Sequence, residues 1–284
     1  MIKLAFISEK SKMEYFKILE KEISLNSKEG SKDHEYFGFH KNRFKRFDRF
    51  LDSLEKRLSH SPGKIKVLEI GSHYLHTSIL LASRSFEVDA MDVEEFWELD
   101  FVQERAGKYA LNKIVENDIS RLESFKDIHD NYDLVVFTEI LEHITFNPIQ
   151  FWKLIYQILK PGGLIYISTP NAFALPSYVR AIKNAFGLKS IGITVDDIFS
   201  KVTYGHHWKE YSAQEVKKYF KALSPDFEVE VNPYNYKEYD LKPPFLMFKL
   251  LSKLGNMTTI FADDLEVIVK LKDKSEWGIK EPEY

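Results

Sequence analysis

Two short runs in this 284-residue chain combine side chains whose types and spacing could do chemistry. The first is Thr138-Glu139-Ile140-Leu141-Glu142-His143 and the second is Gly205-His206-His207-Trp208. Glu139, Glu142 and His143 stand at i, i+3 and i+4, which in a helical turn is one face. Two carboxylates and an imidazole there suit a hard divalent ion, Mg²⁺ or Mn²⁺ rather than a soft metal, with His207 as a fourth ligand. Without a metal, His143, His206 or His207 has the intrinsic pKa of a general base near neutral pH. The purely structural alternative is that Glu139 caps a helix start and His143 packs beneath the segment that follows.

A second set of residues lies upstream. Val67-Leu68-Glu69-Ile70-Gly71 reads as a strand running into a glycine where a helix should begin. In doubly wound sheets, ligands bind at the carboxyl ends of strands beside such a turn. A dinucleotide site would want glycine at the first, third and sixth loop positions, which here are Gly71, His73 and His76. Side chains at the last two would obstruct a pyrophosphate, so NAD and FAD are disfavoured. S-adenosylmethionine has no phosphate and can do with one glycine. Asp92, just past the second strand, stands where a carboxylate accepts from ribose hydroxyls. Asp118, just past the third, can accept from an adenine amino group while Ile119 packs on the ring. Either acid alone reads as a solvated loop residue, but three such positions at the ends of three successive strands form a pattern.

The elements that must position these residues are legible as alternation. Residues 1 to about 60 read as helices, with Phe44, Phe47, Leu51 and Leu54 at helical spacing, until Ser61-Pro62-Gly63 breaks them. Strands are expected at 65–70, 86–91 and 113–116. A fourth opens at Asp133 and continues as Leu134-Val135-Val136-Phe137, an apolar run of the kind buried on both faces of a parallel sheet. A helix over 148–159 closes at Lys160-Pro161-Gly162-Gly163, and Leu164 to Ser168 makes a fifth strand. Residues 171–210 lack this rhythm and read as an insertion over the sheet. A helix at 213–222, strands at 227–231 and 265–271, and a short amphipathic helix at 243–255 complete the chain. Strands separated by helices imply right-handed crossovers and a parallel sheet.

With those residues in place, the chain resembles the class I S-adenosylmethionine-dependent methyltransferases. The likeness rests on Val67 to Gly71, Asp133-Leu134-Val135-Val136, Leu159-Lys160-Pro161-Gly162-Gly163 and Ser168-Thr169-Pro170-Asn171, and covers residues 64 to 171 best. It implies an α/β fold with a Rossmann-like, mostly parallel seven-stranded sheet, an N-terminal helical extension and helical insertions. Residues 1–62 would be a helical cap. Residues 63–284 would be the methyltransferase domain, with insertions at about 171–210 and 234–262. It further implies that Glu69, Gly71, Ser72, Asp92, Val93, Asp118, Ile119 and Thr138 line the cofactor. The chain departs from the family at the glycine loop, which usually reads Gly-x-Gly-x-Gly and here reads Gly71-Ser72-His73-Tyr74-Leu75. The Glu-x-x-Glu-His run with a later histidine is similar to that of metal-dependent small-RNA 2′-O-methyltransferases and ubiquinone-pathway O-methyltransferases.

Methyl transfer is an in-line attack on a sulfonium carbon. A neutral amine attacks unaided, whereas an alcohol benefits from a base or from a metal that lowers its pKa. Both features of the 138–143 run therefore point to an oxygen nucleophile. The His-His-x-x-x-Tyr segment and the Thr-Pro-Asn strand end resemble enzymes acting on sugars of surface glycans, so a small polar or glycan hydroxyl is the first expectation. A metal-dependent RNA or quinone O-methyltransferase is the second, and a methyltransferase-like scaffold that has lost catalysis is the third.

Composition narrows the partners. With 40 Lys and Arg against 43 Asp and Glu, the net charge of −3 creates no field drawing the chain to nucleic acid. The basic, aromatic stretch from Phe39 to Arg49 reads as a charged amphipathic helix, or as a lid over the cofactor with Tyr36, Phe37 and His40 near its hinge. No cysteine is present, which removes disulfides and thiolate chemistry. No signal-peptide core or membrane-spanning run is evident, so a cytoplasmic location is expected. Pro243 to Gly255 reads as a helix that packs on the core or makes a dimer contact, or as one that touches a membrane surface or a lipid-linked substrate.

Overall fold

A computed structural model describes residues 14–58, 64–188, 193, 195–200, 206–234 and 245–282. The expected break at Ser61-Pro62-Gly63, Gly205 and the first residues of the helix expected at 243–255 lie outside the described residues. The chain starts with helices α1 (Glu14–Asn26) and α2 (Lys32–Leu58), and α4 (Glu94–Trp97) and α5 (Asp100–Lys108) come before residue 112. Strands β1 (Lys66–Ile70), β2 (Glu87–Asp92), β3 (Asn112–Val115), β4 (Tyr132–Thr138), β5 (Leu159–Pro170), β6 (Phe227–Tyr234) and β7 (Asp264–Leu271) form one sheet in the order β3-β2-β1-β4-β5-β7-β6. The pairs β3–β2, β2–β1, β1–β4 and β4–β5 are parallel, and β7 runs antiparallel to both neighbours. The sheet is therefore seven-stranded and mostly parallel, as the resemblance implies.

The apolar run of β4 shows why the sheet is covered twice. Leu134 and Val136 point into a core shared with α1, α2 and α3 (His76–Ser83). Val135 and Phe137 point the opposite way, toward α6 (Ile149–Ile158) and α9 (Ala213–Leu223). Successive strand residues alternate faces, so a strand apolar at every position needs a layer on each side. Phe44, Phe47, Leu51 and Leu54 of α2 are all buried in the first of these layers.

α2 is fastened at both ends. Near its start, Asp33 accepts from Arg105 Nη1 at 2.9 Å and Nη2 at 2.7 Å, and pairs with His76 Nε2 at 2.8 Å. Burial alone would push the Asp33 carboxyl up, but these hydrogen bonds hold it well below the usual carboxylate range. Farther along, the buried Arg84 guanidinium contacts Asp48 at 2.5 Å, Asp52 at 2.9 Å and Glu55 at 2.6 Å.

Two stretches differ from expectation. β5 does not wait for Leu164 but continues directly from α6, through Lys160-Pro161-Gly162-Gly163. Gly162 takes a positive φ of 81° and donates its N–H to the Lys272 carbonyl at 3.1 Å, while a register shift between Tyr132 and Leu134 absorbs the irregularity. The stretch 171–210, which shows no rhythm in sequence, contains α7 (Leu175–Phe186) and α8 (Val195–Ser200). α10 (Phe245–Asn256) lies between β6 and β7. Among the described residues no helix is long and apolar enough to cross a membrane.

Candidate functional site

The Gly71 loop lies between the carboxyl ends of β1 and β2. The Gly71 and Ser72 N–H groups both donate to the Met91 carbonyl, at 2.9 and 3.0 Å. Gly71 has a φ of 74°, and a Cβ added there would collide with the Ile140 side chain. His73 (φ 49°) and Leu75 (φ 66°) are also left-handed. All three glycine positions of the family loop thus keep the backbone conformation that favours glycine, although two of them carry side chains at a cost of roughly 1–2 kcal/mol each. Asp92 closes the loop, one carboxylate oxygen accepting from His73 N–H at 2.5 Å and the other from Val93 N–H at 2.8 Å.

Two carboxylates face this loop from low-dielectric positions. Burial raises Glu69 to about 8, against hydrogen bonds from Ser78 and Thr77 that pull it down. Burial raises Asp92 to about 6, against the backbone donors of His73 and Val93. Both are acceptors whose ionised form a cationic or polyhydroxylated ligand would favour. Ser72 is buried beside them, and Thr138 ends β4 on the same small cavity.

α2 covers the loop. Tyr36 lies with its ring centroid 4.4 Å from His73, and Arg43 donates to the Tyr36 hydroxyl at 3.0 Å. The Arg43 guanidinium is buried, 3.9 Å from a Glu139 carboxylate oxygen. The space left between α2 and Gly71 is about 10 Å³, room for about one water. A wider cleft of about 360 Å³ opens beside it, lined by Lys32, Glu35, Tyr36, Phe39, His40, His73 and Tyr74.

The other expected cofactor residues lie farther out. Asp118 is largely exposed, and its carboxylate accepts from the Ser120 hydroxyl and N–H and pairs with Arg121 at 3.1 Å. The Ser120 hydroxyl bond leads the contacts that lower its pKa. Ile119 packs half-buried against the core on the α6 side of the sheet.

Beyond β4 the chain does not form the α-helical turn that the spacing suggests. Glu139 takes a left-handed φ of 56°, and Leu141–His143 is a single 3-10 turn. Glu139 therefore leaves the common face and accepts from the Ser168 hydroxyl at 2.9 Å instead. The group that does assemble is Glu142, His143 and His207, whose ligand atoms lie within 4.8 Å of one another. Glu142 is buried and accepts from the Thr169 hydroxyl at 2.9 Å, and its carbonyl accepts from the Trp208 N–H at 2.8 Å. His143 Nδ1 is 2.8 Å from the His206 carbonyl and so must be the donor. Burial lowers the His143 pKa, keeping the ring neutral near pH 7. His207 is exposed, its ring centroid 5.0 Å from that of His143 and its Nδ1 3.1 Å from Glu210. His206 is buried and offers its carbonyl rather than its ring to His143.

Sequence reasoning overlooked Arg43 as a site residue, along with Thr169 and Glu210. Arg43 carried a signal: Tyr36, His40, Arg43, Phe47 and Leu51 follow helical spacing along the inner face of α2, where a cation is out of place. Thr169 and Glu210 offered none, since their roles depend on how the 171–207 segment returns to β4.

The profile of a methyltransferase-domain family matches residues 39–224. The ubiquinone biosynthesis O-methyltransferase of Dictyostelium discoideum, a mitochondrial protein, is 36% identical over 107 residues, covering 36% of this chain and 30% of that one. The ubiquinone biosynthesis O-methyltransferase of Caulobacter vibrioides is 31% identical over 108 residues, covering 36% of this chain and 38% of that one. The chain thus spans about a third of the length of these curated relatives. Among solved structures, YcgJ from Bacillus subtilis superposes with a TM-score of 0.50 at 13% identity, covering 78% of this chain and 97% of that one. The CurJ carbon methyltransferase gives 0.50 at 16% identity, covering 81% and 54%. These structural likenesses speak to fold alone.

Proposed function

The chain belongs to the methyltransferase-domain family, and on that premise we propose that it moves the methyl group of S-adenosylmethionine to a hydroxyl oxygen. Bound at the Gly71 loop, the cofactor would supply an electrophilic sulfonium methyl group. The residues suit it: Glu69, buried, and Asp92, half-buried, are acceptors for ammonium and hydroxyl groups, and the left-handed loop lets the main chain approach closely. Ligand pockets of this kind take roughly 300–1,000 Å³, so the nucleoside would use the cleft of about 360 Å³ beside the loop or displace the Tyr36 and Arg43 side chains from Gly71. Asp118, tied to Ser120 and Arg121 at the surface, is the weakest of the expected contacts.

The observation that carries the oxygen acceptor is the fixed tautomer of His143. With Nδ1–H held by the His206 carbonyl, Nε2 keeps its lone pair and can take a hydroxyl proton. His143 is also tied to the loop, because its N–H bonds the Ile140 carbonyl at 2.9 Å and Ile140 packs on Gly71. The relatives reported above are named for ubiquinone biosynthesis and none of them for a glycan. That brings a quinone-type phenol ahead of the polar or glycan hydroxyl as acceptor. RNA is disfavoured because cations of α2 are engaged by carboxylates: Lys41 with Glu20, Arg43 with Glu139 and Arg46 with Glu266. Transfer of labelled methyl to a polyprenylated catechol, a free sugar and a short RNA, run in parallel, tests this order. Labelling of the sugar or the RNA in preference to the catechol would reverse it.

A second reading puts a divalent ion at Glu142, His143 and His207. With Glu139 drawn away, the donor set is two imidazoles and one carboxylate, which suits Mn²⁺ better than Mg²⁺. An ion there would lower the hydroxyl pKa and orient the acceptor. Full transfer in the presence of chelator would eliminate this reading and leave the His143 base.

A further inference from the structure

We propose that α7 and α10 together form a docking face for an anionic lipid surface. α10 is apolar on its outward side as well as its inward one, where Phe248 and Leu251 are half-buried. Its protein-facing side carries Ser252, whose hydroxyl donates to Asp263, and Gly255, which abuts the Phe261 carbonyl. Its exposed stripe is Leu246, Leu250 and Leu254, each about half exposed. A helix resting on a globular core in water keeps its outward face polar. α7 repeats the pattern with Tyr178, Ile182 and Phe186 exposed at successive i+4 positions, Phe186 at 87%.

The helices are neighbours: Gly255 lies against Leu175, and the Arg180 guanidinium covers the Phe248 ring at 5.1 Å. The charges choose between occupants. α7 contributes Arg180 and Lys183, α10 contributes Lys249 and Lys253, and neither helix contains an acidic residue, in a chain of net charge −3. A symmetric dimer through this face would set these cations against their own copies. Anionic headgroups would neutralise them while the leucines and aromatics enter the acyl boundary, as an interfacial amphipathic helix does.

The face also lies on the right side of the sheet. α7 follows the carboxyl end of β5, and α10 joins the carboxyl end of β6 to the start of β7, where Pro170, Asp264 and Tyr234 are in register. This is the edge that carries Thr169, Glu142 and the Gly71 loop. If the transfer reading above holds, the acceptor is a membrane-borne hydroxyl presented at headgroup level.

Co-sedimentation of the full chain with vesicles of phosphatidylcholine, with and without phosphatidylglycerol, tests the face directly. Wild type should sediment with the anionic vesicles and not with phosphatidylcholine alone. Leu250→Ser with Leu254→Ser should weaken binding roughly 100-fold or more, and Lys249→Gln with Lys253→Gln roughly 25-fold. Sedimentation unaffected by either pair, or a solution dimer that the leucine pair dissociates, would overturn the proposal. Titration of the same variants with S-adenosylhomocysteine keeps the two claims apart. Unchanged affinity shows that the variants are folded, whereas no affinity even in wild type would fault the transfer reading and leave the vesicle result standing.

Discussion

The Nδ1–H of His143 donates to the main-chain carbonyl of His206 at 2.8 Å, across 63 residues of sequence. The bond fixes which ring nitrogen keeps its lone pair, and Nε2 then lies 3.9 Å from the buried Glu142 Oε1. Replacing His143 by alanine should lower kcat for a hydroxyl acceptor by about 10²–10⁴-fold, the usual worth of a positioned base. Binding of S-adenosylhomocysteine should be unaffected. Equal kcat in wild type and variant would remove His143 from the chemistry.

Gly71 is irreplaceable for two separable reasons, its φ of 74° and the Ile140 side chain that a Cβ would strike. Gly71→Ala should destabilise the fold by at least about 1 kcal/mol and abolish cofactor binding. Adding Ile140→Ala should recover part of the binding but not the stability. If the double variant binds no better than the single, contact with Ile140 is not what excludes a side chain at position 71.

Glu69, raised to about 8, and Asp92, raised to about 6, both by burial, bind protons in the folded chain that the unfolded chain releases at lower pH. Their contribution to stability therefore falls as pH rises from the unfolded carboxylate range toward 8. The ligand's ammonium group favours the ionised form of a carboxylate it contacts, so affinity for S-adenosylhomocysteine should rise with pH through this window, by at most about tenfold per unit for each coupled proton. Calorimetry across the window checks the slope; a flat profile would place the ligand's ammonium away from both carboxylates.

Tyr36 lies over the loop on α2, which Asp33 and Arg84 anchor on either side of it. If the ring is the gate, Tyr36→Ala should speed both association and dissociation of S-adenosylhomocysteine in stopped-flow measurements. Association no faster than in wild type would show that the nucleoside enters by another route, such as the cleft beside Phe39 and His40.

The fold was largely legible because β4 and Gly71 state their roles locally. An apolar run without alternation must be buried on both faces, and a glycine after a strand marks the turn at a sheet edge. The loop was harder to read, since His73 and Leu75 hide a left-handed backbone behind side chains that rarely adopt it. Glu139 was misplaced because i, i+3, i+4 spacing identifies a face only if the turn is helical, and a single left-handed residue undid that premise. α7 lacked a signal for a different reason: its apolar stripe faces outward, so no core periodicity reinforced the neighbouring strands and helices.

The central claim is that the Gly71 loop holds S-adenosylmethionine. Calorimetric titration of the full chain with S-adenosylhomocysteine, beside an Asp92→Ala variant, tests it most directly. Saturable one-to-one binding that is lost or severely weakened in the variant is the predicted result. No binding to wild type, or equal binding to both proteins, would contradict it.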